Sequence, residues 1–111
     1  MQNVSPARNQ INPEKLSLGI IIPAYQVRTE ILEELIRRIR QSCRNYQMKI
    51  IIIDDGSDPP LLDQLQLPEN ILLYRHDKNL GKGMALQTGF RELLKSHSPD
   101  VIITIDSDLQ H

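Results

Sequence analysis

Tryptophan is absent from this chain, aromatic residues make up only 4% of it, and cysteine occurs once. Without aromatic platforms, base stacking on single-stranded nucleic acid loses its main contact. Thirteen Lys and Arg face fourteen Asp and Glu, a formal charge of -1. No basic field advertises nucleic acid, and no acidic tract suggests a solvating tail. The single Cys43 has no internal disulfide partner, which points to a reducing, cytoplasmic compartment. It falls at an apolar position of a helical pattern and reads as a packed thiol rather than a nucleophile. No apolar run approaches the ~20 residues that a membrane span requires. Residues 1–16 carry Pro6, Pro13 and several Asn and Gln without an apolar core, so they resemble neither a signal peptide nor an anchor. They are expected to form a flexible extension, with a turn of helix around residues 13–16, ahead of one domain over residues 17–111. The expected location is cytoplasmic, or the cytoplasmic face of a membrane.

The 111 residues, 40% of them hydrophobic, suffice for one domain or part of one. Four short apolar runs lack polar alternation: Leu18 to Ile22 (stopped by Pro23), Lys49 to Ile53, Ile71 to Tyr74, and Val101 to Ile105. Such runs suggest strands buried on both faces, as in a parallel sheet. Between the first two, Ile31, Leu32, Leu35, Ile36, Ile39 and Cys43 form one stripe at helical spacing, predicting a helix over residues 30–44 with Thr29 as N-cap. Early glutamates and late arginines suit the helix dipole and allow Glu33–Arg37 and Glu34–Arg38 pairs. A second helix is expected over residues 83–95, with Ala85, Leu86, Gly89, Phe90, Leu93 and Leu94 on its buried side. Pro59-Pro60 opens a short turn or helix that reaches about Leu65. The order strand, helix, strand, short helix, strand, helix, strand gives an α/β fold: an open, mostly parallel, Rossmann-like sheet with helices on both faces. Ligands of such sheets bind beyond the carboxyl ends of the strands.

Three polar segments fall on that edge. Asp106-Ser107-Asp108 follows the fourth run. Residues two apart on a strand share a side, so Asp106 and Asp108 can converge on a hard divalent cation, with Gln110 as a further oxygen ligand. The competing reading is a solvated acidic loop. Asp54-Asp55-Gly56-Ser57 follows the second run; Asp-Gly is a turn signal and Asp or Ser caps helices, yet a carboxylate here also suits a base N–H. Pro23-Ala24-Tyr25 follows the first, where Tyr25 either stacks on a base or is an ordinary rim tyrosine. Asn79-Leu80-Gly81-Lys82-Gly83 precedes the second helix, whose free amides favour anions; Lys82 is either a diphosphate contact or a solvated lysine. His76, His97 and His111 show no ligand spacing and are assigned no chemistry.

Ile20-Ile21-Ile22-Pro23-Ala24-Tyr25, Ile53-Asp54-Asp55-Gly56-Ser57-Asp58, Asn79-Leu80-Gly81-Lys82-Gly83-Met84-Ala85, Gly89-Phe90 and Asp106-Ser107-Asp108-Leu109-Gln110-His111 together resemble, in order and spacing, the nucleotide-binding half of a family-two glycosyltransferase of the GT-A fold. The last segment is similar to that of polyprenyl-phosphate (dolichyl-phosphate-mannose-type) sugar transferases. The resemblance implies a UDP- or GDP-linked sugar donor, Mg²⁺ or Mn²⁺, and transfer with inversion to an acceptor such as a polyprenyl phosphate or a glycan. It implies that Pro23, Ala24 and Tyr25 line the base and ribose pocket, that Asp54 or Asp55 binds the base, with Asp55 a further ribose contact, and that Lys82 and Asp106 also bind the nucleotide. Asp106, Asp108 and Gln110 would hold the metal. The catalytic base and acceptor half would lie beyond residue 111, so the isolated chain is expected to bind nucleotide weakly, to transfer no sugar, and to self-associate through its uncovered edge. Rival classes are a haloacid-dehalogenase-type phosphatase, a receiver-like signalling domain, and a non-catalytic Rossmann-type binding domain. All the charged candidates lie on one predicted edge.

Overall fold

A computed structural model describes residues 16–107. Its elements run β1 (Ser17–Ala24), α1 (Thr29–Ser42), β2 (Gln47–Asp54), a 3-10 turn (Leu61–Asp63), β3 (Ile71–Arg75), α2 (Lys82–Ser96) and β4 (Val101–Thr104). All three strand pairings are parallel, and the order is β3-β2-β1-β4. Of the extension expected over residues 1–16, residues 1–15, with most of the helical turn expected at its end, lie outside the described residues.

The isoleucine runs of β1 and β2 form the core because alternate side chains serve opposite faces of the central strands. Ile20, Ile22, Ile50 and Ile52 pack with Leu32, Ile36 and Ile39 of α1, while Ile21, Ile51 and Ile53 pack with Ala85 and Leu93 of α2. One helix therefore covers each face. The chain steps from β1 outward to β2 and β3, then crosses back to place β4 on the other side of β1. That reversal makes a topological switch point between β1 and β4, where open sheets leave a crevice.

Several local expectations are corrected. Pro23 does not stop β1, which continues to Ala24. Ile21 pairs with Thr104, the last residue of β4, so Pro23 lies level with Asp106, beyond the ladder, where its missing N–H is harmless. Thr29 is the first residue of α1 rather than its cap; Arg28 precedes the helix, no side chain caps it, and the Arg28 carbonyl accepts from the amides of Ile31 and Leu32. The helix ends at Ser42, two residues early, as Cys43 to Tyr46 turn into β2. Arg37 pairs with Glu34 rather than Glu33, and Glu34 also holds Arg38. On α2, Phe90 and Leu94 are exposed, and Thr88 is buried instead. β4 is not buried on both faces: as an edge strand it leaves Val101 and Ile103 exposed.

Candidate functional site

A cleft of about 520 Å³ opens at the switch point, lined by Pro23, Ala24 and Tyr25 from the end of β1, by Arg28 and Ile31 from the start of α1, and by Asp55 past β2. Asn79, Gly81, Lys82 and Ala85 at the start of α2, and Asp106 and Ser107 past β4, complete it. Four segments distant in sequence thus share one hollow, between the N-termini of two helices.

Each wall has a local cause. β4 leaves the sheet after Thr104, and Ser107 turns inward, where its buried hydroxyl donates to the Pro23 carbonyl at 2.7 Å. This bond replaces the next rung of the ladder and ties the two strand ends together. Asp106, one residue earlier, stands on the cleft side, half exposed, with Oδ2 2.7 Å from the Lys82 ammonium. On the other wall Gln26 adopts φ 53, a left-handed conformation uncommon for a non-glycine residue. It is held by two bonds: its amide donates to Ser57 Oγ at 2.9 Å, and its Oε1 accepts from the Asp58 amide at 2.6 Å.

The two acids at the end of β2 have separate fates. Asp54 is fully buried; Oδ1 accepts from the Ser57 amide, and Oδ2 from the Leu61 amide and Arg75 Nη1, each at 2.9 Å. It is not part of the cleft lining, so of the two acids only Asp55 reaches the cleft. Asp55 is nearly as buried, yet it lines the cleft floor. Its Oδ1 accepts from His76 Nδ1 at 2.7 Å and the Leu80 amide at 2.9 Å; Oδ2 accepts from Asn79 Nδ2 at 3.1 Å and the Gly81 amide at 2.9 Å. The loop it grips is pressed against Gly56, where φ is 82 and an added Cβ would lie 2.4 Å from the Lys78 carbonyl carbon. Only glycine fits there.

Pro23, Ala24, Tyr25, Asp55, Lys82 and Asp106 therefore come together; Asp54 does not. Asp108 and Gln110 lie outside the described residues. Sequence reasoning passed over Asn79, Ser107 and His76. The inward turn of Ser107 was implicit in the alternation that brings Asp106 to the cleft. His76 carried no signal, because its partners Asp55 and Thr88 are 21 and 12 residues away.

Of the metal candidates, Asp106 lies among the described residues. Among the described residues no group of three or more His, Cys, Asp or Glu gathers as a metal site. Asp106 nevertheless offers a hard oxygen ligand at a spot that already attracts a cation, the Lys82 ammonium. That donor chemistry fits an ion of the magnesium or manganese type. No helix among the described residues is long and apolar enough to cross a membrane.

Comparison with known proteins follows the same outline. The family model for glycosyl transferase family 2 matches residues 19–111. Among curated relatives, undecaprenyl-phosphate 4-deoxy-4-formamido-L-arabinose transferase of Pseudomonas fluorescens (strain SBW25) is 34% identical over 101 aligned residues, covering 85% of this chain and 28% of the relative. The dolichol-phosphate mannosyltransferase of Pyrococcus furiosus is 32% identical over 99, covering 86% of this chain and 27% of the relative. The chain thus spans little more than a quarter of the length of these relatives.

Proposed function

Given that the chain belongs to glycosyl transferase family 2, we propose that the cleft binds the nucleotide diphosphate of a sugar donor, for inverting, metal-dependent transfer to a polyprenyl phosphate. The observation that carries this reading is the meeting of Tyr25, Asp55, Lys82 and Asp106 around one hollow at the switch point. The two relatives' names supply the acceptor class, and the lipid phosphate is preferred to a glycan on that ground.

Each wall has a task. Tyr25, half exposed beside the flat backbone of Pro23 and Ala24, offers a face for the base. The start of α2 directs unpaired amides at the cleft and suits a phosphate. Lys82 adds a full positive charge at the same corner. The base is uracil or guanine, and Asp55 with Asn79 forms the polar floor beneath it. Asp106, with Asp108 and Gln110, would hold Mg²⁺ or Mn²⁺, which when bound supplies a fixed positive charge beside the diphosphate. As the sugar departs, the nucleotide gains negative charge; Lys82 and the α2 amides are placed to stabilise it without reorganising.

Asp55 has every oxygen engaged, so among the described acids lining the cleft only Asp106 has oxygen to spare. Neither suits the role of base toward the acceptor, and the 111-residue chain by itself is proposed to bind donor without transferring sugar. It is also proposed to self-associate through the edge of β4. The same saturation of Asp55 argues against the receiver-like alternative, which needs a free carboxylate. Titration calorimetry with UDP and GDP, each with and without Mn²⁺, tests the reading. Binding of one nucleotide that strengthens at least tenfold with the metal supports it; no binding of either overturns it.

A further inference from the structure

His76, given no task by the reading above, is among the most enclosed ionisable groups of the described chain. Its ring lies between Asp55 Oδ1 and Thr88 Oγ1, 2.7 Å from each. A carboxylate can only accept, so Nδ1 carries a proton. In the neutral ring Nε2 must then accept, and the Thr88 hydroxyl donates to it. Thr88, itself buried on α2, thereby holds the far side of the ring and fixes its orientation toward Asp55.

What Asp55 does with that support is visible in its other bonds. An ionised carboxylate has about four acceptor positions, and His76, Leu80, Asn79 and Gly81 fill them. Two of these donors are consecutive backbone amides, immediately ahead of Lys82. Burying such a charge is costly unless every oxygen is satisfied. Removing the His76 donor would leave Oδ1 with one bond, free to rotate toward water in the cleft and release the amides it holds. We infer that His76, set by Thr88, is a positioning residue for the donor site: it orients Asp55, and Asp55 fixes residues 79–81 so that Lys82 and the α2 amides face the diphosphate.

The inference rests on the nucleotide reading for its functional half only, so the experiment has two arms. His76→Leu removes the donor. His76→Asn returns an N–H close to the place of Nδ1 and loses only the bond to Thr88. Hydrogen exchange of residues 77–83 is read without ligand, and the affinity for nucleotide with Mn²⁺ is read beside it. An unsatisfied bond to a buried charge is worth about one to two powers of ten. His76→Leu should therefore speed exchange in this segment and weaken nucleotide binding, each about tenfold or more, with exchange in β1 and β2 unchanged. His76→Asn should restore most of both. Should His76→Leu fail to fold, Thr88→Val decides, and about a threefold loss in both readouts is expected from losing the bond that holds the ring in place.

Equal behaviour of His76→Leu and His76→Asn would overturn the inference, as would wild-type exchange and affinity in His76→Leu, or in Thr88→Val where that variant decides. If the wild-type protein binds no nucleotide at all, the donor-site reading fails, while the exchange arm still decides whether His76 orders the loop.

Discussion

Asp54 and Asp55 are neighbours with the same side chain, and the molecule uses them for opposite ends. Asp54 is a rivet: its carboxylate joins Ser57, Leu61 and Arg75, pinning the turn after β2 to β3. Breaking a fully buried ion pair costs about 3–5 kcal/mol, but Arg75 is one-third exposed, so the loss for Asp54→Ala should be nearer 2–3 kcal/mol. Asp106→Asn, by contrast, breaks only an exposed pair with Lys82 and should change stability by less than about 1 kcal/mol while abolishing the metal's effect on binding. Urea unfolding of both variants checks the contrast. The sequence marked this acidic pair as important and could not say which member lined the cleft. That choice depends on Arg75, 21 residues away, and on which side of the strand end each carboxylate leaves.

At the scale of elements, α1 and the two central strands were legible because one period dominates each. The stripe of α1 meets one face of the sheet, and the unbroken isoleucines of β1 and β2 are covered on both. α2 and β4 were read less well: β4 is an edge strand, and α2 turns part of its apolar surface away from the sheet that its other side covers. Phe90, Leu94, Val101 and Ile103 are exposed for that reason. Where α2 does meet the sheet, the fit is close: a Cβ on Gly89 would come within 2.4 Å of Ile21 Cγ2. That methyl is on a β-branched, fully buried side chain and cannot move aside. Gly89→Ala should therefore destabilise by about 1 kcal/mol net, because ~1–3 kcal/mol of overpacking exceeds the ~1 kcal/mol gain in helix propensity. A thermal melt showing stabilisation would contradict this packing.

For the whole molecule, the order β3-β2-β1-β4 places the reversal, and hence the cleft, beside β1. The fold class and the edge of the sheet carrying the site were readable from strand and helix alternation; the bonds that build the site were not, because Asn79 and His76 meet Asp55 across 24 and 21 residues, which no spacing announces. The same topology leaves one side of β4 unpaired among the described residues, with Val101 and Ile103 exposed along it. Unpaired, apolar edges recruit other strands. The 111-residue chain should therefore give a dimer or larger species by light scattering, and Val101→Lys with Ile103→Lys should shift it toward monomer. A wild-type chain that stays monomeric at high concentration would refute that expectation.

The central claim is that one cleft gathers base, diphosphate and cation, with Asp106 at the cation's corner. It is tested most directly by calorimetric titration of Mn²⁺ and the preferred nucleotide diphosphate, together and separately, into the wild-type protein and Asp106→Asn. The account predicts that each ligand strengthens the other's binding in the wild type, about tenfold or more, and that this coupling disappears in the variant while metal-free nucleotide binding survives. Coupling that persists undiminished in Asp106→Asn, or is absent from the wild type, would contradict it.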